Sequence, residues 1–381
     1  MVFGWRSYYR AIHFRSLPFG IDRWILGLSQ GWKITFGFYA KFTNDDPGLP
    51  PTSFSGGRYL GYMPLDPARK EIRLLKIHAG RSEEAIHTSI RTVSLVDSPE
   101  FEALSYVWGC PKDEEVIFID GQRVKIGRNL FEAIHTLRLT TSDRILWVDA
   151  VCIWQDNVTE RGHQVGMMDQ IYRLAENVAV YLGPPTAATP TAIRTLRYFT
   201  DCELDPDNGP WRSTPIEEIE QSLTDIIHRP WFTRIWTVQE ATLARHITLI
   251  SGEHEVSWVV DLRTVKSILF RIKSAVISPG WSMPLRNRAS SLDWSRLLNI
   301  LDTRMRQAAR REGAAIVGTP LDLAFDFRSR LSADPRDKYF AIANIIENDQ
   351  GGSIVLRPDY DMTLEELHQR FTDEVRRVNG L

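Results

Sequence analysis

Residues 145–183, ILWVDAVCIWQDNVTERGHQVGMMDQIYRLAENVAVYLG, constrain the fold more than any other stretch. Ile145 to Val148 is a short apolar run that ends at Asp149. Val165, Met168, Ile171, Tyr172 and Ala175 then recur at helical spacing. Val178 to Leu182 is a second apolar run, stopped by Gly183-Pro184-Pro185. Two buried-type strands joined through a helix form a βαβ unit, which implies a parallel pair with a right-handed crossover. The chemistry of such a unit lies beyond the C-terminal ends of its strands. Those ends are Asp149 and Gly183.

The flanking chain extends the pattern. Tyr62 to His78 reads as a turn and a strand, with Ile72, Leu74 and Ile77 on its apolar face. Residues 101–109, FEALSYVWG, read as a strand ending in Trp-Gly. Val116–Ile119 and Val124–Ile126 flank Asp120-Gly121, a type I′ hairpin signal. Asn129 with Glu132 three residues on predicts a helix N-terminus. Helical patterning flanks an acidic loop, Asp205 to Gly209, whose glycine falls one place late for a calcium loop and which lacks the closing acid. Pro230 suits the first turn of a helix carrying Trp236 and Glu240, and His246–Ser251 reads as a strand. Beyond 258 the pattern is mainly helical: 259–277, 292–309, 320–330, 337–346, and 363–377 capped by Thr363 with Glu366. Strands alternating with helices make the class α/β.

Residues 1–59 form a separate extension and linker. Arg6, Arg10, Arg15, Arg23, Lys33 and Lys41 face a single acid, Asp22, within residues 1–41, which are also rich in aromatics. Such a segment can lie on a membrane surface, or simply dock on the domain. Residues 43–58, rich in Pro, Gly and Ser, read as the linker. The remainder divides into a 60–255 domain and a 256–381 mainly helical region.

A net charge of -2 gives no reason to expect a nucleic-acid partner. Cys110, Cys152 and Cys202 show no metal or disulfide spacing, which fits a reducing compartment and a cytoplasmic protein without a metal. No apolar stretch approaches the roughly 20 residues that cross a bilayer. The first residues lack the apolar core of a signal peptide.

A parallel sheet would bring Ser105, Tyr106, Trp108 and Gly109, Asp149, and Gly183 to one edge, with Glu240 on a later helix, four residues after Trp236 and on its face. Carboxylates beside aromatics suit a ligand with sugar and ring parts. They can stabilise an oxocarbenium-like state when an N-glycosidic bond breaks. Each candidate also has a structural reading. Asp149 can cap the loop at 150–156, Glu240 can pair with Arg234, Arg245 or Arg161, and Trp108, Trp147 and Trp236 can be core. Ser105 lacks the GxSxG elbow of a serine hydrolase. Glu160-Arg161 begins a helix and joins a polar network.

FEALSYVWG, the 146–183 block and RPWFTRIWTVQEA, in this order, resemble the three signature blocks of the fungal heterokaryon incompatibility (HET) domain. YMPLDPARKEIRLLKI upstream, and DPRDKYFAIANII with PDYDMTLEEL downstream, resemble the flanks of that family. The likeness is close over 60–255 and looser over 334–367. One departure is Trp154, where the family usually has Asn. The HET domain is in turn similar to the Toll/interleukin receptor (TIR) domain. The resemblance therefore implies a flavodoxin-like parallel sheet flanked by helices. It also implies a role in fungal non-self recognition, where the domain triggers programmed cell death.

Trp236-Thr237-Val238-Gln239-Glu240 resembles the TIR Trp-Cys-x-x-Glu block, with Thr237 in place of the Cys. In TIR domains that cleave NAD this glutamate is catalytic. By resemblance Glu240 is the candidate catalytic residue, and Ser105, Tyr106, Trp108, Gly109, Asp149, Arg161 and Trp236 are candidate substrate-binding residues. NAD would be substrate, and no cofactor is required. The expected partner is a second copy or a heterologous incompatibility protein. The alternative is a non-catalytic assembly module that recruits a death effector. The chain can also be a fragment of something longer.

Overall fold

The computed structural model describes residues 62–110, 112–200, 210–259, 295–311, 313, 326–345 and 354–379. The basic extension and linker, the 205–209 loop, the 259–277 helix (from residue 260) and residues 320–325 of the expected 320–330 helix lie outside them.

Among the described residues the apolar runs become nine strands of one sheet. They are β1 Glu71–Ile77, β2 His87–Ser94, β3 Glu102–Ser105, β4 Glu114–Ile119, β5 Gln122–Gly127, β6 Arg144–Trp147, β7 Val178–Tyr181, β8 His246–Ser251 and β9 His254–Val259. Their spatial order is β5-β4-β2-β1-β6-β3-β7-β8-β9. The inner block β6-β3-β7-β8 is parallel. Numbered by chain position, its strands run 2-1-3-4, which is the flavodoxin-like order. Every residue of β7 is buried, as expected of a strand covered on both faces.

The expected flavodoxin-like parallel sheet is there as this block, and antiparallel strands added on either side make the sheet as a whole mixed. β1 runs antiparallel to β2 and β6, β4 to β5, and β8 to β9. Strands joined by tight turns can pair only antiparallel. In the β4–β5 turn both Asp120 and Gly121 have positive φ, 49° and 77°, as a type I′ hairpin requires. β2 and β9 are additions that the sequence reading lacked. β2 alternates irregularly between exposed and buried positions, so its period-2 signal is weak. The first expected strand is also shorter than FEALSYVWG, because the chain leaves the ladder after Ser105.

Helices α1 Arg128–Leu137, α2 Asp149–Cys152, α3 Val158–Val165, α4 Met168–Leu174, α5 Thr189–Thr200, α6 Ile216–Ile227 and α7 Trp236–Leu243 fill the connections. The N-cap of α1 is Gly127 rather than Asn129. The Asn129 side chain instead donates to the Val107 carbonyl at 3.1 Å, across the sheet edge. The single helix expected from Glu160-Arg161 through Ala175 is broken between α3 and α4. Pro358 lies against this stretch, 3.6 and 3.4 Å from where Cβ atoms on Gly162 and Gly166 would be, an ordinary contact distance.

Helices α8 Ser295–Arg311, α9 Asp337–Ala343 and α10 Leu364–Asn379 complete the described chain. Thr363 and Glu366 form the expected reciprocal cap of α10: the Thr363 N–H donates to Glu366 at 2.9 Å, and the Glu366 N–H donates to Thr363 at 3.3 Å. Leu297, Ile300, Phe340, Leu367 and Phe371 from these helices belong to the same buried core as the sheet. Among the described residues no helix is long and apolar enough to cross a membrane.

Candidate functional site at the strand ends

β3 lies at the centre of the parallel block, and its last residue is Ser105. α7 crosses beyond that end and brings in Glu240. The Ser105 hydroxyl donates to Glu240 Oε2 and accepts from the Trp231 indole N–H at 2.7 Å. Ser105 and Glu240 are 1% and 2% exposed, so the contact is closed to bulk water. Burial pushes the Glu240 carboxyl up to about 7. The positive charge of Arg234 and the Ser105 hydrogen bond oppose that rise, and the Asp149 carboxylate adds to it.

Asp149 follows β6, the neighbouring strand. Its carboxylate accepts from the Trp108 indole N–H at 2.9 Å and from the Ala150 N–H at 2.7 Å. Its carbonyl accepts from Gln155 at 2.8 Å. Asp149 therefore caps its loop, as its structural reading expects, and also holds Trp108. Its carboxyl is raised by burial, with Arg234, Trp108 and Ala150 pulling it back. Trp108 is half-buried, and its ring edge is committed to Asp149.

Arg234 ties the carboxylates together. Its guanidinium donates to the Tyr106 carbonyl, and its charge acts on Glu240, Asp149 and Asp337. Tyr106 is buried and its phenol is raised well above the ordinary value by burial, with Asp149 adding to the shift. Gly109 has φ 81°, and a Cβ there would meet the Asn129 amide at 2.8 Å. It serves the turn after β3 by letting Asn129 approach.

Arg161 and Trp236 meet a different set of groups, supplied by the C-terminal helical region. The Arg161 guanidinium lies over the Tyr360 ring, 5.2 Å from its centroid. Asp337 accepts from the Tyr360 hydroxyl at 2.9 Å, and its helix α9 packs against α7, which opens at Trp236. Burial pushes Asp337 up to about 6 against the hydrogen bond from the Tyr360 hydroxyl and the positive charge of Arg234.

The structure thus brings Ser105, Tyr106, Trp108, Asp149 and Glu240 to one sheet edge, with Arg234 among them. It sets Arg161 against the Tyr360 ring, places Trp236 at the start of α7, which packs on α9, and gives Gly109 a backbone role. Trp231, Asp337 and Tyr360 were missed as site residues, and Arg234 entered only as one of three possible structural partners of Glu240. Trp231 and Arg234 sit inside the RPWFTRIW run, and Asp337 and Tyr360 inside DPRDK and PDYD, so the runs were legible while the pairings were not. The end of β7 is taken by structure: Arg229 donates to the carbonyls of Leu182 at 3.2 Å and Pro184 at 3.1 Å, and to Ser251 at 2.8 Å. Gly183 is therefore outside the candidate site. At position 154 it is the backbone of Trp154 that is polar, donating to Glu160 at 2.9 Å.

Among the described residues no group of three or more His, Cys, Asp or Glu is placed to hold a metal ion. A carboxylate at this edge can stabilise a developing cation, and its raised proton affinity lets it take or give a proton near neutral pH.

The family described as "Heterokaryon incompatibility protein (HET)" matches residues 101–240. Heterokaryon incompatibility protein 6, OR allele, of Neurospora crassa is 28% identical over 253 residues, 53% of this chain and 36% of that protein. Vegetative incompatibility protein HET-E-1 of Podospora anserina is 28% identical over 159 residues, 41% of this chain and 10% of that protein. The aligned part thus spans about a third and a tenth of these two relatives. No solved structure matches the chain significantly.

Proposed function

Residues 101–240 are a heterokaryon incompatibility (HET) domain, and on that premise we propose that the chain acts in incompatibility between fungal cells by cleaving NAD at the strand-end carboxylates. The observation that carries this reading is the Ser105–Glu240 pair at the end of the first parallel strand, one strand from Asp149. Ionised Glu240 stabilises the ribosyl cation as the bond to nicotinamide breaks. Nicotinamide leaves with the bonding electron pair. Water adds to the ribose carbon, giving ADP-ribose and a proton. Asp149, one strand away, holds the indole of Trp108, whose ring is the surface for a base to stack on. Because Glu240 is closed off by Ser105 and Trp231, substrate reaches it when that pair opens, a change that self-assembly can drive.

The burial of Glu240, 2% exposed, favours a second reading. In it the Glu240–Ser105–Trp231 chain holds the domain together and the chain acts as a cytoplasmic assembly module that recruits a death effector, by self-association or with a heterologous incompatibility protein.

Nicotinamide release by purified protein at high local concentration separates the two. The catalytic reading expects release by wild type, rising as pH passes about 7 and Glu240 ionises, and at least a hundredfold less from folded Glu240→Gln, the order of loss typical of a removed electrostatic stabiliser. Equal release by the two proteins would remove Glu240 from catalysis. No release from either, with both folded, would leave the assembly module.

A further inference from the structure

Arg161 is a half-buried arginine whose charge no carboxylate meets. Among the described residues none lies within ion-pair distance of it. The acids around it are taken by other arginines. Glu160, its neighbour in the chain, pairs with Arg73 at 2.6 Å, and Asp334 pairs with Arg336 at 2.7 Å. The hydrogen bond that Arg161 does make is long, from Nη1 to the Gln155 carbonyl at 3.4 Å. Its Nε is buried without a partner.

The guanidinium is nevertheless held in place. It lies over the Tyr360 ring, 5.2 Å from the centroid, and the Tyr360 hydroxyl is tied to Asp337 at 2.9 Å. A ring face attracts a cation without consuming its N–H donors. Gln155, which accepts from Arg161, also donates to the Asp149 carbonyl at 2.8 Å. That residue joins Arg161 to the strand-end edge where Asp149 holds Trp108. A charge partly removed from water is stabilised by a counter-charge. A guanidinium with uncommitted donors meets an oxyanion through two parallel hydrogen bonds.

We propose that Arg161 is the anion-binding residue of the strand-end site and takes a phosphate group of the ligand. The identity of that ligand rests on the NAD reading, since the anionic part of NAD is its diphosphate. The need for an anion rests on Arg161 alone. Arg161 is half-buried whereas Glu240 is closed, so the phosphate end binds before the Ser105–Glu240 pair opens.

Calorimetry on the full chain tests this with ADP-ribose, inorganic pyrophosphate and adenosine, comparing wild type with Arg161→Gln and Arg161→Lys. Wild type is expected to bind ADP-ribose and pyrophosphate, and Arg161→Gln to bind both at least tenfold more weakly. Arg161→Lys keeps the charge and loses the fork, so it is expected to fall between them. Adenosine has no phosphate and is expected to show no difference among the three. Arg161→Gln strands no carboxylate and is expected to fold; should it not, Arg161→Lys carries the comparison. Nicotinamide release from NAD is expected to lose efficiency in Arg161→Gln mainly through KM. Equal affinities of wild type and the Arg161 variants for ADP-ribose and pyrophosphate, or no binding of either by wild type, overturn the proposal. So does a loss of adenosine binding as large as that of ADP-ribose, which would make Arg161 a structural residue. Wild type that binds ADP-ribose through Arg161 and releases no nicotinamide sinks the NAD reading and leaves the anion site. Nicotinamide release with an unchanged KM in Arg161→Gln sinks the anion site and leaves the NAD reading.

Discussion

At the residue scale the chain carries a carboxyl whose ionisation opposes folding. Glu240 titrates in the ordinary carboxyl range when unfolded and near 7 when folded. Across that window the folded chain holds a proton that the unfolded chain lacks, so stability falls as pH rises. The contribution is fully present below the ordinary range and is lost once pH passes about 7. Glu240→Gln keeps the hydrogen-bonding shape and removes the charge. It is expected to be more stable than wild type above pH 7 by on the order of 2 kcal/mol and to flatten the pH dependence near neutrality. Urea unfolding at about pH 6 and pH 8 reads this out, and an unchanged slope would mean that Glu240 is ionised in both states. Asp337, pushed up to about 6, adds a slope of the same sign at lower pH, which the variant retains. The spacing from Trp236 pointed to Glu240. Its partners Ser105 and Trp231 did not follow from it, because Ser105 is 135 residues away and only the crossing of α7 over β3 joins them.

At the scale of elements, one buried ion pair fastens the polar loop after β6 to the sheet. Arg73 stands inside β1, where the sequence reads as apolar, and is 2% exposed. Its guanidinium grips Glu160 of α3 at 2.6 and 3.0 Å, and donates to the carbonyls of Cys152 at 3.1 Å and Met63 at 2.6 Å. The Tyr62 ring covers it at 4.3 Å. Asn157 caps α3 through the Glu160 N–H at 3.0 Å, so the same glutamate is fixed from both ends. Removing one partner leaves a buried charge. Arg73→Ala is therefore expected to cost roughly 3–5 kcal/mol in denaturant unfolding, and the double change Arg73→Met with Glu160→Leu clearly less. A single variant as stable as wild type would show that water reaches Glu160. The helix itself and its polar network were readable from Glu160-Arg161, whereas the partner on β1 was not, since an arginine in a strand reads as solvent-facing by alternation.

At the scale of the molecule, the described C-terminal helices are part of the structure that holds the site. α8 reaches α7 through Arg304, which donates to the Ala241 carbonyl. Residues 330–331 pair with the segment just before α7: Arg330 donates to the Phe232 carbonyl, the Ile235 N–H donates to Leu331 at 2.9 Å, and the Leu331 N–H donates to Thr233 at 2.6 Å. Their removal would bare apolar side chains such as Ile235 and backbone groups that are now paired. A chain stopped after Val259 is expected to lose cooperative unfolding and to bind a hydrophobic dye, measured beside the full chain by denaturant titration. A truncated chain that unfolds cooperatively at the wild-type midpoint would show instead that the 62–259 part stands alone.

The sequence by itself determined the local order: the βαβ pattern of 145–183, the Asp120-Gly121 hairpin, the Thr363–Glu366 cap, and the blocks that mark the HET domain. These depend on neighbours a few residues apart, and periodicity and turn chemistry report them directly. Only the tertiary structure decided that the sheet is mixed around a parallel core. It alone decided that Arg229 fills the end of β7, that Ser105 and Trp231 close over Glu240, and that Tyr360 meets both Asp337 and Arg161. Those pairings join residues tens to more than a hundred positions apart. Which buried polar group meets which is set by how elements cross, a choice that burial and hydrogen-bond satisfaction make only once the whole chain is packed.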